Sequence, residues 1–183
     1  MQQKVKMGKL ETVYKGKFIA LKRRLVSFSN GEKKTFEYCE RPDSVTILPF
    51  DEQGRLLMIR EFRHDHRKSI WFLPAGSVKK GEAPIKAAHR ELREETGYDA
   101  KKIKKLYSRS SGSSIIIWNI HLFVAKDLFL APLKGDEEFP IKVVPMSLAK
   151  AVKMALDGII ENEFIAYHII RFNELLKTGK FKW

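Results

Sequence analysis

The sequence is short of the features that would mark several classes of protein. It has one cysteine, Cys39, in 183 residues, which excludes an internal disulfide and with it a disulfide-framed secreted domain. It has no run of about 18 apolar residues, so no helical membrane span is expected. The opening stretch MQQKVKMGKLETVYKGK carries no apolar core of the kind a signal peptide uses. These absences together lead us to expect a reducing, cytoplasmic setting. His64, His66 and His121 show no metal-ligand spacing and read as surface or core residues. There is no internal repeat and no low-complexity linker. Acidic residues are scarce beside basic ones, 22 Asp and Glu against 35 Lys and Arg, for a formal net charge of +13. Such an excess favours polyanionic partners: nucleic acid, nucleotides or an acidic membrane surface. The lysines are scattered along the sequence, and no stripe alternates with aromatics as an RNA platform would. The plainest reading is a solvated basic surface.

Hydrophobic residues make up 44% and charged residues 31%, the balance of a globular chain with one good core or one domain plus an appendage. Residues 10–42 alternate apolar and polar, and Ser29-Asn30-Gly31 marks a turn between them. We expect a small N-terminal section of antiparallel strands over residues 1–42 and a main domain over 43–183. DSVTILPF and RLLMIREFR read as two strands joined by Asp51-Glu52-Gln53-Gly54, and SIWFLPAG as a short strand ended by Pro74 and Gly76. Residues 83–96 have helical periodicity, with Pro84 in the first turn and Gly97 as the stop. IKKLYSR and SIIIWNIHLFVAKDL read as strands. Ser147 caps a helix ended by Gly158, and Asn162 caps a last helix ended by Gly179. The order predicts an α+β core with a mixed sheet sandwiched by helices.

One segment of this basic chain crowds carboxylates. On a helical wheel of about 100° per residue, with Glu82 at zero, Glu94, Glu91 and Glu95 fall at roughly 120°, 180° and 220°. Ile85, Ala88 and Leu92 fall together beyond them, so that side is expected to be buried. Lys86, Arg90 and Arg93 lie opposite. Ala87 adds no bulk to the carboxylate stripe and leaves room for an ion. Like charges at i,i+3 and i,i+4 repel and weaken a helix. A hard divalent cation offsets that, because Mg²⁺ and Mn²⁺ favour carboxylate oxygens. Taken alone, the same spacing also describes a solvated acidic face paired to Arg90 and Arg93.

The wider pattern decides between these readings. Gly76, Glu82, Arg90, Glu91, Leu92, Glu94, Glu95, Gly97 and Tyr98 fit G-x5-E-x7-R-E-U-x-E-E-x-G-U, where U is bulky and apolar. At average residue frequencies a chance match in a chain of this length is on the order of one in a million. The segment resembles the Nudix box. The resemblance implies hydrolysis of nucleoside diphosphates linked to another moiety. It assigns a divalent metal, Mg²⁺ with Mn²⁺ as an alternative, to Glu91, Glu94 and Glu95, often with the carbonyl of Ala75. Glu94 is then also part of the catalytic group. Arg90 is expected to hold the carboxylates by charge-assisted hydrogen bonds, Glu82 to support the loop, and Gly76 and Gly97 to allow the turns into and out of the helix.

Beyond the box, LPAG, IREFR, RPDSVTILPFDEQGRLLMI, the β-rich N-terminal section and MALDGIIENEFIAYHII resemble the ADP-ribose and nucleotide-sugar pyrophosphatase branch of that family. The resemblance implies a homodimer whose N-terminal sheet is swapped and helps build both sites. Arg63 is then expected to contact the pyrophosphate, Arg41 to reach phosphate or ribose, and Phe18 or Tyr14 to stack on the base. Glu138 or Glu137, in the loop GDEEFP, is the expected general base. Phe72 stands where that branch usually has a Glu before LPAG, and Ser111-Gly112 where it tends to have Pro-Gly. The expected reaction is cleavage of a nucleoside diphosphate sugar, such as ADP-ribose or GDP-mannose, to a nucleoside monophosphate and a sugar 1-phosphate. Two alternatives stand beside it. One is hydrolysis of RNA 5′ ends or dinucleoside polyphosphates, which would suit the basic charge. The other is a non-catalytic nucleotide-sugar sensor.

Overall fold

A computed structural model describes residues 4–135 and 139–183. The chain divides into two compact units. The N-terminal unit comprises residues up to 44 together with 108–120, and the main unit comprises 45–107 and 121–183.

The N-terminal unit is one sheet. It contains β1 (Val5–Met7), β2 (Glu11–Lys15), β3 (Ala20–Phe28) and β4 (Lys33–Glu40). β3 is its spine. It pairs antiparallel with β4 over Ala20↔Glu40 to Ser27↔Lys33, and with β1 and β2 on its other side. The predicted turn at Ser29-Asn30-Gly31 closes the β3–β4 hairpin, with Gly31 at φ 85°. A short strand from much later in the chain, Ile116–Ile117, pairs parallel with Cys39 and Glu40. We label it β10, the tenth strand in chain order. Both β1 and β10 are additions to the expected N-terminal section, and the stretch SIIIWNIHLFVAKDL, expected as one strand, divides at Trp118.

The main unit contains β5 (Ser44–Pro49), β6 (Leu56–Arg63), β7 (Lys68–Phe72), β8 (Ala75–Ser77), α1 (Pro84–Thr96), β9 (Tyr98–Ser110), β11 (Asn119–Leu130), β12 (Lys142–Met146), α2 (Leu148–Leu156) and α3 (Glu163–Lys177); β5, β9 and β11 each extend across the boundary between the units. One sheet has the order β8-β5-β11-β9 and another β12-β6-β7. The alternation of side chains along β5 and β11 explains the layering. Val45, Ile47, Phe123 and Ala125 join one core cluster with Ala87, Ala88 and Leu92 of α1. Leu48, Leu122 and Val124 point the other way, into a cluster with Met154 of α2 and Ile165, Ile169 and Phe172 of α3. Successive strand residues face opposite sides, so a sheet covered on both sides reads as the unbroken buried run of β5. This is the expected α+β sandwich, with α1 against one side of the central sheet and α2 and α3 against the other; β12-β6-β7 is antiparallel throughout. Ser147 and Asn162 cap their helices as predicted, accepting from the backbone N–H of Lys150 at 3.2 Å and Ile165 at 3.1 Å.

Two details of the helical wheel are corrected. Ile85 is 38% exposed and not part of the buried side, which begins with Ala87 and Ala88. Ala87 is fully buried against the sheet. Its small side chain serves close packing of α1 on β5 and β11, not space for an ion.

Candidate active site

The loop that enters α1 and the helix itself close on one guanidinium. Arg90 makes five hydrogen bonds. Its Nε and Nη2 donate to the two carboxylate oxygens of Glu82, each at 2.9 Å. Its Nη1 donates to Glu91 at 2.6 Å and Glu94 at 2.9 Å, and Nη2 also reaches the carbonyl of Ser77 at 2.9 Å. A guanidinium offers five N–H donors in a fixed plane, so this side chain is used to its capacity. The Glu82 fork holds Arg90 above its already high pKa, with Glu91 and Glu94 adding to it. In return Arg90 lowers the Glu82 carboxyl below its ordinary value, and the N–H of Lys79 assists by donating to Glu82 at 2.9 Å.

Glu95 turns the other way along the helix and accepts from the backbone N–H of Ala75 at 2.8 Å. Gly76 follows at once, and its lack of a side chain is required. A Cβ there would sit 2.1 Å from the carboxylate carbon and an oxygen of Glu91. The strand β8 can therefore approach α1 only with glycine at this position, which seats the buried Glu91 carboxylate against the Ala75–Gly76 backbone. Gly97 ends the helix in the left-handed region (φ 77°), its N–H donating to the carbonyl of Arg93.

Three carboxylates, Glu82, Glu91 and Glu94, converge on one guanidinium, and a fourth, Glu95, sits on the Ala75 amide. Glu91 is 7% exposed, and the Glu94 side chain is 9% exposed. The donor set of carboxylate oxygens plus a backbone carbonyl suits a hard divalent ion in kind. Among the described residues, no group of three or more His, Cys, Asp or Glu is already drawn together as a metal cage, and the carboxylates here are engaged by Arg90 and the Ala75 amide.

Arg63, at the end of β6, is partly exposed. It lies over the Phe72 ring at 5.5 Å and 3.4 Å from Glu61. It lines a cleft of about 380 Å³ with His66, Phe72, Asn162 and Phe164. Arg41 and Phe18 belong to the N-terminal unit. Arg41 is stacked over the Trp118 indole at 4.3 Å, and burial lowers its pKa. Phe18 is 70% exposed, with the Lys17 ammonium 5.0 Å from its ring centre. Glu137 and Glu138 lie outside the described residues. The segments flanking them are fixed. Ala131 accepts from Arg93 Nε at 2.8 Å, and its N–H donates to Gly97 at 3.0 Å. Phe139 packs edge-on against Phe62 at 4.9 Å.

On the wheel Arg93 is a charge on the far side and a possible partner for the acidic face. Its tie from α1 to the 131–135 segment was missed. A basic residue in the last turn of a helix, where carbonyls lack partners, is the signal that could have drawn attention to it.

A fold of this kind, with a box of carboxylates on a helix behind a glycine corner, defines a class. The NUDIX domain model matches residues 40–180, and the chain belongs to the Nudix hydrolase family. It is similar to an ADP-ribose pyrophosphatase of Bacillus subtilis (strain 168), 31% identical over 93% of this chain and 94% of that one. It is also similar to the ADP compounds hydrolase NudE of Escherichia coli (strain K12), 30% identical over 85% of this chain and 84% of that one. A solved structure described as an ADP compounds hydrolase superposes with a TM-score of 0.85 at 27% identity, covering 98% of this chain and 97% of its own.

Proposed function

We propose that this protein hydrolyses the pyrophosphate of nucleoside diphosphate sugars, ADP-ribose, GDP-mannose or similar, releasing a nucleoside monophosphate and a sugar phosphate. The observation that carries the reading is the box geometry, Glu82, Glu91 and Glu94 gathered on Arg90 beside the Ala75–Gly76 corner, in a chain alignable almost end to end with an ADP-ribose pyrophosphatase. In the reaction, water forms a bond to one phosphorus, the bridging P–O bond breaks, and the water's proton is taken up by a carboxylate.

Glu91, Glu94, Glu95 and the Ala75 carbonyl are the residues that would hold Mg²⁺ or Mn²⁺. When bound, such a cation neutralises pyrophosphate oxygens and supplies a water of lowered pKa. Arg90 fixes the directions of Glu91 and Glu94 so that few side-chain rotations are lost on binding. Arg63 adds positive charge for the pyrophosphate oxygens, where charge develops as the bridging bond breaks. Glu138, with Glu137 as its alternative, accepts the proton from water.

The N-terminal section, residues 1–42, supplies the remaining parts in this reading: Arg41 for phosphate or ribose and Phe18 for the base. It exposes Val13, Tyr14, Phe18, Leu21 and Leu25, each more than two-fifths exposed. A second copy of the chain covers them in a homodimer, because so thin a sheet has no core of its own. A cytoplasmic location accords with Cys39 being a free thiol.

The test is a comparison of kcat/KM for ADP-ribose, GDP-mannose and related sugars with those for triphosphorylated RNA and diadenosine polyphosphates, in Mg²⁺ and in Mn²⁺. Activity across several nucleotide sugars is expected, with phosphate-containing products identified by chromatography. A clear preference for RNA or the polyphosphates would overturn the substrate assignment.

A further inference from the structure

Arg23, Arg55, Arg63 and Arg90 each donate to a carboxylate. Arg41 is exposed, and among the described residues its guanidinium meets a ring and no acceptor. Its central carbon lies 4.3 Å from the centre of the Trp118 indole. An arginine stacked by its face keeps its N–H donors at the edge of the plane.

The register explains the meeting. β10 runs parallel to β4, with Ile116 opposite Cys39 and Ile117 opposite Glu40. The N–H of Arg41 donates to the carbonyl of Ile117 at 3.2 Å. One residue further along the same register, Trp118 falls beside Arg41, and neighbours across paired strands share a face. The indole is itself held. Its Nε1 donates to Ser44 Oγ at 3.0 Å, and Ser44 is buried. The carbonyl of Trp118 accepts from the N–H of Ser111 at 2.8 Å. The next residue, Asn119, donates to one oxygen of Asp43 from its backbone N–H at 3.2 Å and from its side-chain amide at 3.1 Å. Arg41, Asp43 and Ser44 are thus tied to Ile117, Asn119 and Trp118, and all six belong to the N-terminal unit.

We propose that Trp118 is a positioning residue for hydrolysis: it holds the Arg41 guanidinium by one face so that the N–H edge donates to a phosphate oxygen of the substrate. The inference rests on the reading of Arg41 as a phosphate or ribose contact, and it takes the phosphate. A fork of N–H donors matches two oxygens of an anion at once, whereas a hydroxyl would use one of them. A long side chain loses much rotamer freedom when it is fixed. Trp118 imposes that loss before substrate arrives, so less affinity is given up on binding. An exposed cation–π contact adds little to stability, so the ties on the indole matter for where Arg41 is placed.

The experiment is a set of steady-state measurements on the full chain with ADP-ribose, GDP-mannose and diadenosine polyphosphates, with thermal midpoints alongside. Trp118→Leu should raise KM about two- to fivefold, the worth of one exposed cation–π contact, and lower kcat far less. Trp118→Phe keeps a ring face and should stay close to the parent. Arg41→Gln should raise KM about tenfold, and adding Trp118→Leu to it should raise KM no further, because the two residues act as one. Inorganic phosphate offers Arg41 only phosphate oxygens, and its inhibition constant should rise with KM in both single variants. If Trp118→Leu loses its thermal midpoint, Ser44→Ala takes its place, since it loosens the indole without removing it; a KM about twofold higher is expected, and again no increment when Arg41→Gln is present. An unchanged KM in Arg41→Gln, an unchanged inhibition constant for phosphate, or a Trp118→Leu effect that multiplies with that of Arg41→Gln would overturn the proposal. A parent that prefers the polyphosphates would overturn the substrate reading instead, and the comparison of variants then stands on that substrate.

Discussion

From Val45 to Pro49, β5 is buried at every residue, whereas β2 is exposed at every residue from Glu11 to Lys15. The contrast runs through the two units. The main unit places helices on both faces of its central sheet, and its largest buried side chains include Phe123, Phe172, Ile47 and Leu48. Among its described residues the N-terminal unit has two well-buried apolar side chains, Val26 at 5% exposure and Ile120 at 4%, at the point where β11 crosses into the main unit. Its cross-strand partners keep a register of eight pairs between β3 and β4, so backbone pairing defines the sheet even where side-chain burial does not. The main unit can thus hold buried charges in fixed positions, because packing around Arg90 and Glu91 restricts their rotamers. The N-terminal unit is suited to meeting another surface.

The largest effect on stability is expected from breaking the charge cluster of the main unit. Arg90→Met leaves Glu82, Glu91 and Glu94 facing one another with no guanidinium, and removing one partner of a largely buried ionic cluster costs about 3–5 kcal/mol. Chemical denaturation checks this, and adding Mg²⁺ should recover part of the loss, since a cation replaces the missing charge. A variant as stable as the parent in chelator would mean that the cluster is not ionised as drawn.

A second change tests the other side of the contrast. Leu21 and Leu25 lie on one exposed face of β3, so Leu21→Asp with Leu25→Asp should cost the isolated chain under about 1 kcal/mol. It should nevertheless convert a dimer to a monomer in sedimentation at micromolar concentration and reduce hydrolysis. A parent chain that already sediments as a fully active monomer would remove the dimer from the account.

The smallest effect is a pH dependence. Glu82 has its carboxyl held below its ordinary value of 4.5 by Arg90. A depressed folded-state pKa stabilises at pH values above the unfolded one, and that stability is lost as pH falls through the folded value. Urea midpoints of the parent and of Glu82→Gln should therefore differ most at neutral pH and draw together below about pH 4.5. A gap that stays constant on acidification would contradict this.

The box helix was legible because its signals are local: a periodicity, a proline at the first turn, a glycine at the stop, and residue types fixed at set spacings. The same holds for the caps at Ser147 and Asn162. What was not legible depends on partners distant in sequence. Ile116 and Ile117 lie in a stretch that reads as strand, but no local pattern announces that they part from it at Trp118 to meet Cys39 and Glu40, a pairing across more than seventy residues. Ala87 reads as an open space on a wheel and is a core contact in the fold, since only the sheet decides what faces it. Arg93 finds Ala131 thirty-eight positions away. In the candidate site, the residues of the box were readable by type and spacing. Their division of labour in the fold, two carboxylates on Arg90 and the third on the Ala75 amide, was not.

The central claim is that the carboxylates of α1 serve a divalent cation in pyrophosphate hydrolysis, and Glu95→Gln tests it most directly. Glutamine keeps the shape and can still accept from the Ala75 amide, but it removes one negative charge and one strong metal ligand. Rates of AMP release from ADP-ribose should be measured across a Mg²⁺ titration for the parent and the variant, with thermal midpoints alongside. The account predicts a fall in kcat/KM of at least about a hundredfold with little change in midpoint, as expected when a metal-site group acting on the transition state is lost. Near-parental turnover at limiting Mg²⁺ would contradict it.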